Sequence, residues 1–536
     1  MMTDPNYDVI VTGFGPVGET CANLLGYYGI KSLIIDKDQG VFPLPRAITW
    51  DKECERAISV CKFSNELDLR IIRAADHIDS NEKLIFRAQL IEKEKYKYFH
   101  SMSFMYQPEF DRVHRENALK YKTNIIKEGW ELIDYRQENR LITCIVKDLN
   151  NNEIKNITTK YLIGSDGASS SVRKISKIEL QDYNCDQTWM VVDGYNDKQF
   201  ECFAEVDAIQ FCNPKRPITI IQGAKNRFRF EIGFMPGDKE EEIQKEEVFT
   251  EYVNRWIGDS NVTYDRKAVY SFHSASAKQW RKDNMFLLGD AAHQMPPFMG
   301  QGLNSGCRDA ENLLWKINGV LNGTFDESIL DTYESERKPH AERILQAAIN
   351  MGNIINAKSY IIAFLRNIFL RLATALSGTG NLFPAFAGIR LGEGIHNMPD
   401  IKNPSIEAYY FNNIDVKLRD GRNQDTDQLL KKNFGLILNN FTNTKSISES
   451  NIELLRKLNF KIINLTESYE DSNYEHYIHC KDLYNDFDTY CKKFNCDAVF
   501  LRPDRYVFGR INTQDQNLDA VISKVLNQLK EKIRIN

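Results

Sequence analysis

Three glycines near the start of the chain have the spacing of a phosphate-binding turn. Gly13, Gly15 and Gly18 follow an apolar run at residues 7–12. In a strand, turn and helix, the first glycine permits the tight turn and the second lets backbone N–H groups approach a pyrophosphate, while the third lets the helix lie close to the sheet. A second apolar run ends at Asp36, whose carboxylate can accept a hydrogen bond from a ribose hydroxyl. The pattern predicts a dinucleotide site.

Two later segments place a carboxylate directly after an apolar run. In the first, Asp166 and Gly167 end a predicted strand. In the second, a predicted strand at 285–288 leads to Gly289 and Asp290 and then to a glycine-rich loop that opens a helix. The N-terminus of a helix offers free N–H donors and the positive end of the helix dipole. We expect this terminus to stabilise negative charge on a bound group.

Together the three segments resemble a known family. The GxGxxG, the acid after the next strand, the Asp-Gly pair and the Gly-Asp turn with its Pro-Pro and Gly-Gln-Gly continuation are similar to the group A FAD-dependent aromatic hydroxylases, the para-hydroxybenzoate hydroxylase superfamily. The chain most resembles the branch of 3-(3-hydroxyphenyl)propionate hydroxylase and phenol hydroxylase. The resemblance spans nearly the whole chain, through Pro45 to Ala47, Gln107 to Phe110, Trp189 to Asp193, Gln210 to Pro214, Leu330 to Glu334 and Arg502 to Gly509.

The resemblance implies one tightly bound FAD and assigns residues to its parts. The ADP part would be held by Gly13, Gly15, Gly18, Asp36 and Lys37. Residues along the pyrophosphate, the ribityl chain and the isoalloxazine ring would be Arg46, Gln107, Gly289, Asp290, Pro297, Gly300, Gly302, Leu303 and Asn304. Asp166 and Gly167 would serve both FAD and a nicotinamide nucleotide. Asp36 departs from the family, which more often has Glu at this position.

The implied reaction is hydroxylation of a small aromatic substrate. NADPH or NADH would reduce FAD, O2 would add to give a flavin hydroperoxide, and one oxygen atom would pass to a phenolic ring. A single GxGxxG predicts that the nicotinamide nucleotide binds only transiently. A non-catalytic scaffold stabilised by FAD, or a flavin oxidoreductase of another type, remains an alternative. A halogenase is disfavoured because no WxWxIP motif surrounds the tryptophans.

Three side chains are candidates for catalysis or loop support. His293 follows the third segment, and we expect it to orient the loop. His273 is either a residue of the substrate pocket or a hydrogen-bonded histidine of a sheet. Asp51 could assist deprotonation of a phenol or could be a solvated carboxylate at a helix start. None of the histidines has the spacing of a metal-ligand set, so no metal is expected.

Composition limits the remaining possibilities. The chain has 536 residues and a net charge of -5 without a basic tail, which predicts two or three domains and no nucleic-acid partner. The cysteines form no CxxC pair and no export signal precedes the first strand, so we expect a cytoplasmic enzyme. Arg366, Asn367 and Arg371 interrupt the apolar run at 359–376. We therefore expect no transmembrane segment but an amphipathic helix that packs against a domain or a subunit.

The resemblance also sets the fold class. It implies an α/β FAD-binding Rossmann-like domain of the GR2 type, an antiparallel-sheet substrate domain and a thioredoxin-like C-terminal domain. The expected boundaries are 1–180 and 276–377 for the FAD domain, 181–275 for the substrate domain, 378–430 for a connecting segment and 431–536 for the C-terminal domain. The Gly378-Thr379-Gly380 sequence imitates a dinucleotide-binding turn, but it is a decoy because no buried strand precedes it. Since Cys480, Cys491 and Cys496 form no CxxC, we expect the last domain to be structural. Whether it lies at a homodimer interface is an open alternative.

Local patterns predict the elements of the two later domains. In the substrate domain, alternating runs predict strands within 203–211, 218–222 and 228–234. In the C-terminal domain, strands are expected at 434–438, 460–465, 498–501 and 506–511, and helices at 452–458, 483–494 and 518–530.

Overall fold

The computed structural model describes residues 5–43, 46–62, 66–90, 102–357, 359–377, 390–396, 408–441, 447–466, 474–511 and 517–533. The chain divides into two compact units. The first unit comprises Met1–Arg308 and Ala341–Phe386, and the second comprises Asp309–His340 and Ala387–Asn536. Pro45 and the Gly378-Thr379-Gly380 decoy lie outside the described residues.

The first unit contains a sheet with a parallel centre. Its strands are β1 (Tyr7–Thr12), β2 (Ser32–Asp36), β8 (Asn124–Glu128), β9 (Trp130–Glu138), β10 (Leu141–Asp148), β11 (Ile154–Gly164), β19 (Arg281–Lys282) and β20 (Met285–Leu287). The order is β19-β20-β11-β1-β2-β8, and β20, β11, β1, β2 and β8 run parallel. Strands β9 and β10 extend β11 in antiparallel pairing. The predicted strand, turn, helix and strand at the start of the chain are confirmed.

A second sheet in the first unit is mainly antiparallel, as predicted for the substrate domain. Its strands are β5 (Ala74–Ile78), β6 (Leu84–Gln89), β13 (Gln187–Asn196), β14 (Ala208–Phe211), β15 (Ile218–Gln222), β16 (Arg227–Gly233) and β17 (Val262–Phe272). The order is β17-β13-β16-β15-β14-β5-β6. Two expectations were incomplete. Residues 203–211 form only one short strand, and β5 and β6 come from the part of the chain assigned to the FAD domain, joining through parallel pairing of β5 with β14.

Short strands and helices complete the first unit. The short strands are β3 (Thr49–Asp51), β4 (Arg70–Ile71), β7 (Met102–Phe104), β12 (Leu180–Asp182), β18 (Ala275–Ala277) and β21 (His293–Gln294). The helices are α1 (Pro16–Tyr28), α2 (Lys52–Ile58), α3 (Gln107–Leu119), α4 (Ser171–Ile175), α5 (Glu240–Ile243), α6 (Glu246–Ile257), α7 (Gln301–Leu321), α8 (Thr332–Ile355) and α9 (Tyr360–Ser377). Helix α7 ends in the second unit, and α8 begins there and ends in the first. In the described part of the chain no single helix has the length and apolar content of a membrane span, and only a pair bent by 114° passes that test together.

The second unit is built on one mixed sheet. Its strands are β22 (Asp415–Leu418), β23 (Asn423–Asp425), β24 (Gly435–Asn439), β25 (Lys461–Leu465), β26 (Tyr477–Asp482), β27 (Ala498–Leu501) and β28 (Val507–Ile511). Its helices include α10 (Thr426–Leu430), α11 (Glu449–Lys457), α12 (Asp486–Phe494) and α13 (Leu518–Ile533). The order is β23-β22-β26-β25-β24-β27-β28. The predicted strands and helices of this region are confirmed, but β26 was missed, and β22 and β23 lie in the segment expected to be a connection.

A buried cluster of charges explains why residues 309–340 belong to the second unit. Glu336 on α8 accepts two hydrogen bonds from Arg502, at 2.7 and 2.8 Å, and one from Lys316 on α7 at 2.8 Å. Arg502 also pairs with Asp504 at 2.6 Å. All four side chains are buried. Burial would raise the pKa of Glu336, but the attraction of Arg502 and Lys316 outweighs it and holds this pKa far below its usual range.

We expect Glu336→Gln to destabilise the protein by about 3–5 kcal/mol, because it leaves buried cations without their carboxylate. The depressed pKa means that the contribution of Glu336 is present above its unfolded value of about 4.3 and is lost as the pH falls below it. Thermal unfolding of both proteins at neutral and acid pH measures this. Glu453→Gln, on the exposed face of α11, is the control and should change stability by less than about 0.5 kcal/mol. Equal melting temperatures for wild type and Glu336→Gln would contradict the prediction.

Candidate cofactor site

The glycines of the first turn have different physical roles. Gly13 has φ of 92°, and a Cβ there would lie 2.5 Å from the carbonyl oxygen of Ser165. A Cβ at Gly18 would lie 1.9 Å from the carbonyl oxygen of Gly13. At Gly15, by contrast, no described atom outside its immediate neighbours lies within 4 Å of such a Cβ. Gly13 and Gly18 are therefore required by the fold, whereas Gly15 borders open space before the N-terminus of α1, where a pyrophosphate fits.

Asp36 lies against this turn, at the end of β2. Its Oδ2 accepts a hydrogen bond from the backbone N–H of Phe14 at 2.5 Å, and its Oδ1 accepts one from Asp38 at 2.9 Å. Burial raises the pKa of Asp36 in spite of these two hydrogen bonds. The predicted pairing of turn and acid is thus present, and the neighbouring Lys37 is exposed.

The second segment lies beside the same turn. The Ser165 backbone N–H donates to Thr12 O at 2.9 Å, and its hydroxyl donates to Gly13 O at 3.2 Å. Asp166 Oδ2 accepts from the first N–H groups of α4, those of Ser171 at 2.7 Å and Val172 at 3.1 Å. The other oxygen, Oδ1, is buried and has no hydrogen-bond partner among the described residues. A buried carboxylate oxygen without a partner fits a donor from a ligand. The adjacent Gly167 has φ of 79°.

The third segment follows β20 and presents a carboxylate to solvent. Gly289 turns the chain with φ of 59°, and Asp290 follows it. The Asp290 side chain is accessible to solvent, and the protein that surrounds it raises its pKa in spite of the attraction of His293 and Arg46. Within the described chain, the nearest atom to a Cβ placed at Gly302 is Asp290 Oδ1, at 4.0 Å. Asp290, Gly302 and Arg46 therefore line one cleft that can accommodate the ribityl part of a flavin.

Arg46 is held in place through its backbone. Gln107 Oε1 accepts hydrogen bonds from the N–H groups of Arg46 at 2.8 Å and Ala47 at 2.7 Å. Arg229, on the second sheet, donates to the carbonyl oxygen of Arg46 at 3.1 Å. The Arg46 guanidinium lies over the ring of Phe42 at 4.3 Å. Gln107 therefore fixes the backbone at Arg46, and the guanidinium stays accessible at the edge of the cleft.

The glycine-rich loop before α7 is tied to β3. Pro297 precedes a 3-10 turn that ends at Gly300, where φ is 61° and a Cβ would lie 1.8 Å from Thr49 Oγ1. Asn304 donates to Gly300 O at 2.8 Å and accepts from the Asp51 N–H at 3.0 Å. The Asn304 side chain thus supports the loop, and the preceding residue, Leu303, is half-buried against apolar side chains.

The candidate catalytic residues are not gathered in this cleft. Asp51 begins α2 and accepts from Cys54 N–H at 2.9 Å, while its other oxygen pairs with Arg308. It is a helix-start carboxylate as one alternative expected, but it is buried rather than solvated. His273 is exposed just beyond β17 and hydrogen-bonds Asp186 at 2.9 Å. His293 is buried, with its ring 5.0 Å from that of Trp280.

Sequence reasoning missed a buried acidic pair behind the first turn. Glu19 on α1 accepts from Arg115 Nε at 2.8 Å, and Arg115 also donates to the carbonyl oxygen of Phe14. Asp111 on α3 accepts from Gln107 at 3.3 Å. Burial raises the pKa of Asp111 to about 7, and burial together with Asp111 raises the pKa of Glu19. The only sequence signal was Glu19 itself, a charge on the inward face of a helix that packs on a sheet.

Asp111→Asn should make stability less dependent on pH. The folded pKa of Asp111, about 7, lies above an unfolded value of about 3.9, so its folded state gains a proton between these values and stability falls as the pH rises through them. We expect Asp111→Asn to melt progressively higher than wild type as the pH increases from 5 to 8. Glu116→Gln, exposed on the same helix, should leave the profile unchanged. A constant difference across this range would contradict the assignment.

Gly15→Val and Gly18→Ala should separate binding from folding. We expect Gly15→Val to retain its melting temperature without cofactor but to lose the dinucleotide, because the new side chain fills the space before α1. Gly18→Ala should destabilise the fold by about 1–3 kcal/mol or more, since its Cβ meets backbone rather than a flexible side chain. Bound flavin per chain and melting temperature are measured together. A Gly15→Val protein with full flavin content would show that the pyrophosphate lies elsewhere.

Comparisons with known proteins agree with this geometry. The FAD binding domain family matches residues 6–348, and the HcaD C-terminal domain family matches residues 409–528. A 3-(3-hydroxy-phenyl)propionate/3-hydroxycinnamic acid hydroxylase of Burkholderia cenocepacia (strain HI2424) is 27% identical over 509 residues, 93% of each chain. A probable NADH-specific resorcinol 4-hydroxylase of Rhodococcus jostii (strain RHA1) is 29% identical over 368 residues, 67% of this chain and 68% of that protein.

Solved structures show the same fold. The flavin-dependent monooxygenase PieE in complex with FAD and substrate has a TM-score of 0.79 at 18% identity, covering 98% of this chain and 100% of that chain. Aklavinone-11 hydroxylase with FAD and aklavinone has a TM-score of 0.76 at 18% identity, covering 99% and 100%. The family of the FAD binding domain covers more than half of the chain, and the resemblance found in the sequence is confirmed. The protein therefore belongs to the FAD binding domain family, in its FAD-dependent aromatic hydroxylase branch.

Proposed function

We propose that the protein is an NAD(P)H-consuming monooxygenase that inserts one oxygen atom of O2 into a phenolic ring. The observation that carries this is the position of the glycine-rich loop. Phe298, beside Pro297, packs edge-on against Trp189 of the second sheet, with ring centroids 5.8 Å apart. Phe298 and Trp189 belong to one buried apolar cluster with Phe86 and Met351. The glycine-rich loop is thus packed on the second sheet through aromatic side chains, which supports the proposal that an aromatic substrate binds between the cofactor and this sheet.

The curated relatives support the reaction class. Their names describe hydroxylation of 3-(3-hydroxyphenyl)propionate, 3-hydroxycinnamic acid and resorcinol, all of which are phenols. One of these names specifies NADH. We propose a phenol as the substrate of this chain and NADH or NADPH as its reductant, bound transiently because the sequence carries one GxGxxG.

The residues of the chain position the reactants. Bound FAD supplies the chemistry that accepts hydride and activates O2. Gly15 and the N-terminus of α1 would bind the pyrophosphate, and Asp290 would accept hydrogen bonds from ribityl hydroxyls. The N-terminal end of α7 would place its positive dipole near the ring. The apolar cluster around Phe298 would exclude water from the reacting centre.

Each of the two candidate bases for phenol deprotonation already has a partner among the described residues. Both oxygens of Asp51 are engaged by Cys54 and Arg308, so Asp51 would need to release a partner before it could accept a proton. His273 is exposed and paired with Asp186. Of the two proposed residues, His273 has the freer access to a ligand.

We further propose that the second unit contains a thioredoxin-like domain with a structural role. Strands β28, β27, β24 and β25 are adjacent in that order, with β24 and β25 parallel and β27 and β28 antiparallel. This is the strand arrangement of a thioredoxin-like sheet. Cys480, Cys491 and Cys496 are buried and form no CxxC, which supports a structural rather than a redox role.

Substrate should control the use of NAD(P)H. We expect a phenolic substrate to raise NAD(P)H oxidation at least about tenfold, which requires only ~1.4 kcal/mol of barrier change. Stopped-flow flavin reduction and peroxide release are measured across a panel that begins with 3-(3-hydroxyphenyl)propionate and resorcinol. A phenol that cannot be hydroxylated should also trigger oxidation but release peroxide.

Two outcomes would contradict this function. Fast flavin reduction without any aromatic ligand, unchanged across the panel, would indicate a plain flavin reductase. Absence of reduction by either nucleotide, with FAD bound and every phenol present, would indicate a non-catalytic flavoprotein.

A further inference from the structure

Helix α9 carries its apolar side chains on the outside of the molecule. Large side chains on this helix are between 40% and 86% exposed. They are Tyr360, Ile361, Ile362, Phe364, Leu365, Ile368, Phe369, Leu372 and Leu376. Isolated exposed apolar residues are common, but a contiguous patch of this size on a folded surface usually marks an interaction site.

The two arginines of α9 bind neighbouring segments of the first unit. Arg366 donates to the carbonyl oxygens of Ile354 at 2.6 Å and Cys212 at 3.1 Å. Arg371 donates to Leu84 O at 2.8 Å and pairs with Asp79 at 2.7 Å. The helix contains no Lys, Asp or Glu. Its outer face is therefore apolar and uncharged, while its two cations bind neighbouring segments of the first unit.

The spacing of the exposed residues is that of a helix-pairing seam. Ile361, Leu365, Ile368, Leu372 and Ala375 follow one another at intervals of four, three, four and three residues. This is the a/d pattern by which two helices pack side by side. Phe364 and Phe369 and the other exposed side chains flank the seam.

We propose that this face binds the same face of a second copy of the chain. With roughly 150–250 Å² for each fully exposed large side chain, the patch offers on the order of 1,000 Å². A stable interface needs about 800 Å² from each partner. A two-fold pair brings identical surfaces together, and an uncharged seam with a/d spacing is complementary to itself.

A membrane surface fits the patch less well than a second copy. Helices that lie in a membrane interface combine an apolar face with Lys and Arg side chains that reach lipid headgroups. On α9 the only cations, Arg366 and Arg371, are engaged by Ile354, Cys212, Leu84 and Asp79. Both guanidinium groups are thus already paired within the first unit, and the Arg371 side chain, 36% exposed, stays only partly accessible, which leaves few donors for anionic lipid.

The proposed interface would brace the substrate side of the molecule. Leu370, on the inner face of α9, belongs to the same apolar cluster as Trp189 and Phe298. Pairing of α9 with its copy would hold this helix against the second sheet from outside.

Charge placed on the seam tests the proposal. The wild-type full chain with FAD should be a dimer at micromolar concentration by size-exclusion chromatography with light scattering. Leu365→Lys/Leu372→Lys should be a monomer, with the Kd of the dimer raised at least about a hundredfold because the lysines would be buried without partners. Ile154→Lys, at a similarly exposed apolar residue outside α9, should remain dimeric. Unchanged flavin content in each variant shows that the fold is retained.

A covalent test does not depend on the folding of the lysine variant. Ile368 lies at the middle of the seam, so it meets its own copy whether the helices pair parallel or antiparallel. Ile368→Cys should form a disulfide-linked dimer under mild oxidation, whereas wild type and Ile154→Cys should not. A monomeric wild type, a dimer that resists both lysines, or no crosslink from Ile368→Cys would overturn the proposal. Sedimentation of wild type with phosphatidylcholine and phosphatidylserine vesicles, lost in the lysine variant, would overturn it in favour of a membrane partner.

Discussion

Parallel pairing around β1 is the constraint on which the cofactor site depends. Thr12 at the end of β1 lies beside Gly164 at the end of β11 and beside Ile35 of β2, and Gly164 lies beside Leu287 of β20. In a parallel sheet the carboxyl ends of all strands meet at one edge, which is where α/β folds bind ligands. Each flavin segment directly follows one of these strands. Segments separated by more than 100 residues in sequence therefore converge at this edge, where hydrogen bonds such as that from the Ser165 hydroxyl to Gly13 O join two of them.

Short-range sequence patterns were sufficient to predict the turns and carboxylates at this edge of the sheet. The glycine spacing, the acid after β2 and the Gly-Asp turn are local signals, and the structure places them together. Long-range pairing was not readable in the same way. Strand β5 joins the second sheet through parallel pairing with β14, which lies far from it in the sequence. Asp51 was predicted either to assist deprotonation of a phenol or to be a solvated carboxylate at a helix start, but it is buried and paired with Arg308, which lies 257 residues away.

The buried carboxyl groups behind the first turn and the buried carboxylate in the second unit differ in protonation. The cluster around Glu336 balances acids with cations, so its carboxylate stays ionised. Glu19 and Asp111 share Arg115, which also pairs with Glu128, and burial therefore favours a proton on the acids. This arrangement suits its position. A neutral carboxyl behind the glycine turn repels a pyrophosphate less than a carboxylate would, while Arg115 still fixes the turn through the carbonyl oxygen of Phe14.

Helix α9 is amphipathic, as the sequence predicted, but its apolar face is exposed and its arginines face the protein. Arg366 and Arg371 marked the apolar run as amphipathic, and an amphipathic helix normally turns its charges to water. Here carbonyl oxygens at the ends of other elements and the carboxylate of Asp79 need donors, and the two arginines supply them. These hydrogen bonds and the ion pair hold the helix with its two arginines against the first unit. The apolar stripe consequently faces outward, and the hydrophobic effect that would normally drive this helix onto its own sheet is left available for a partner.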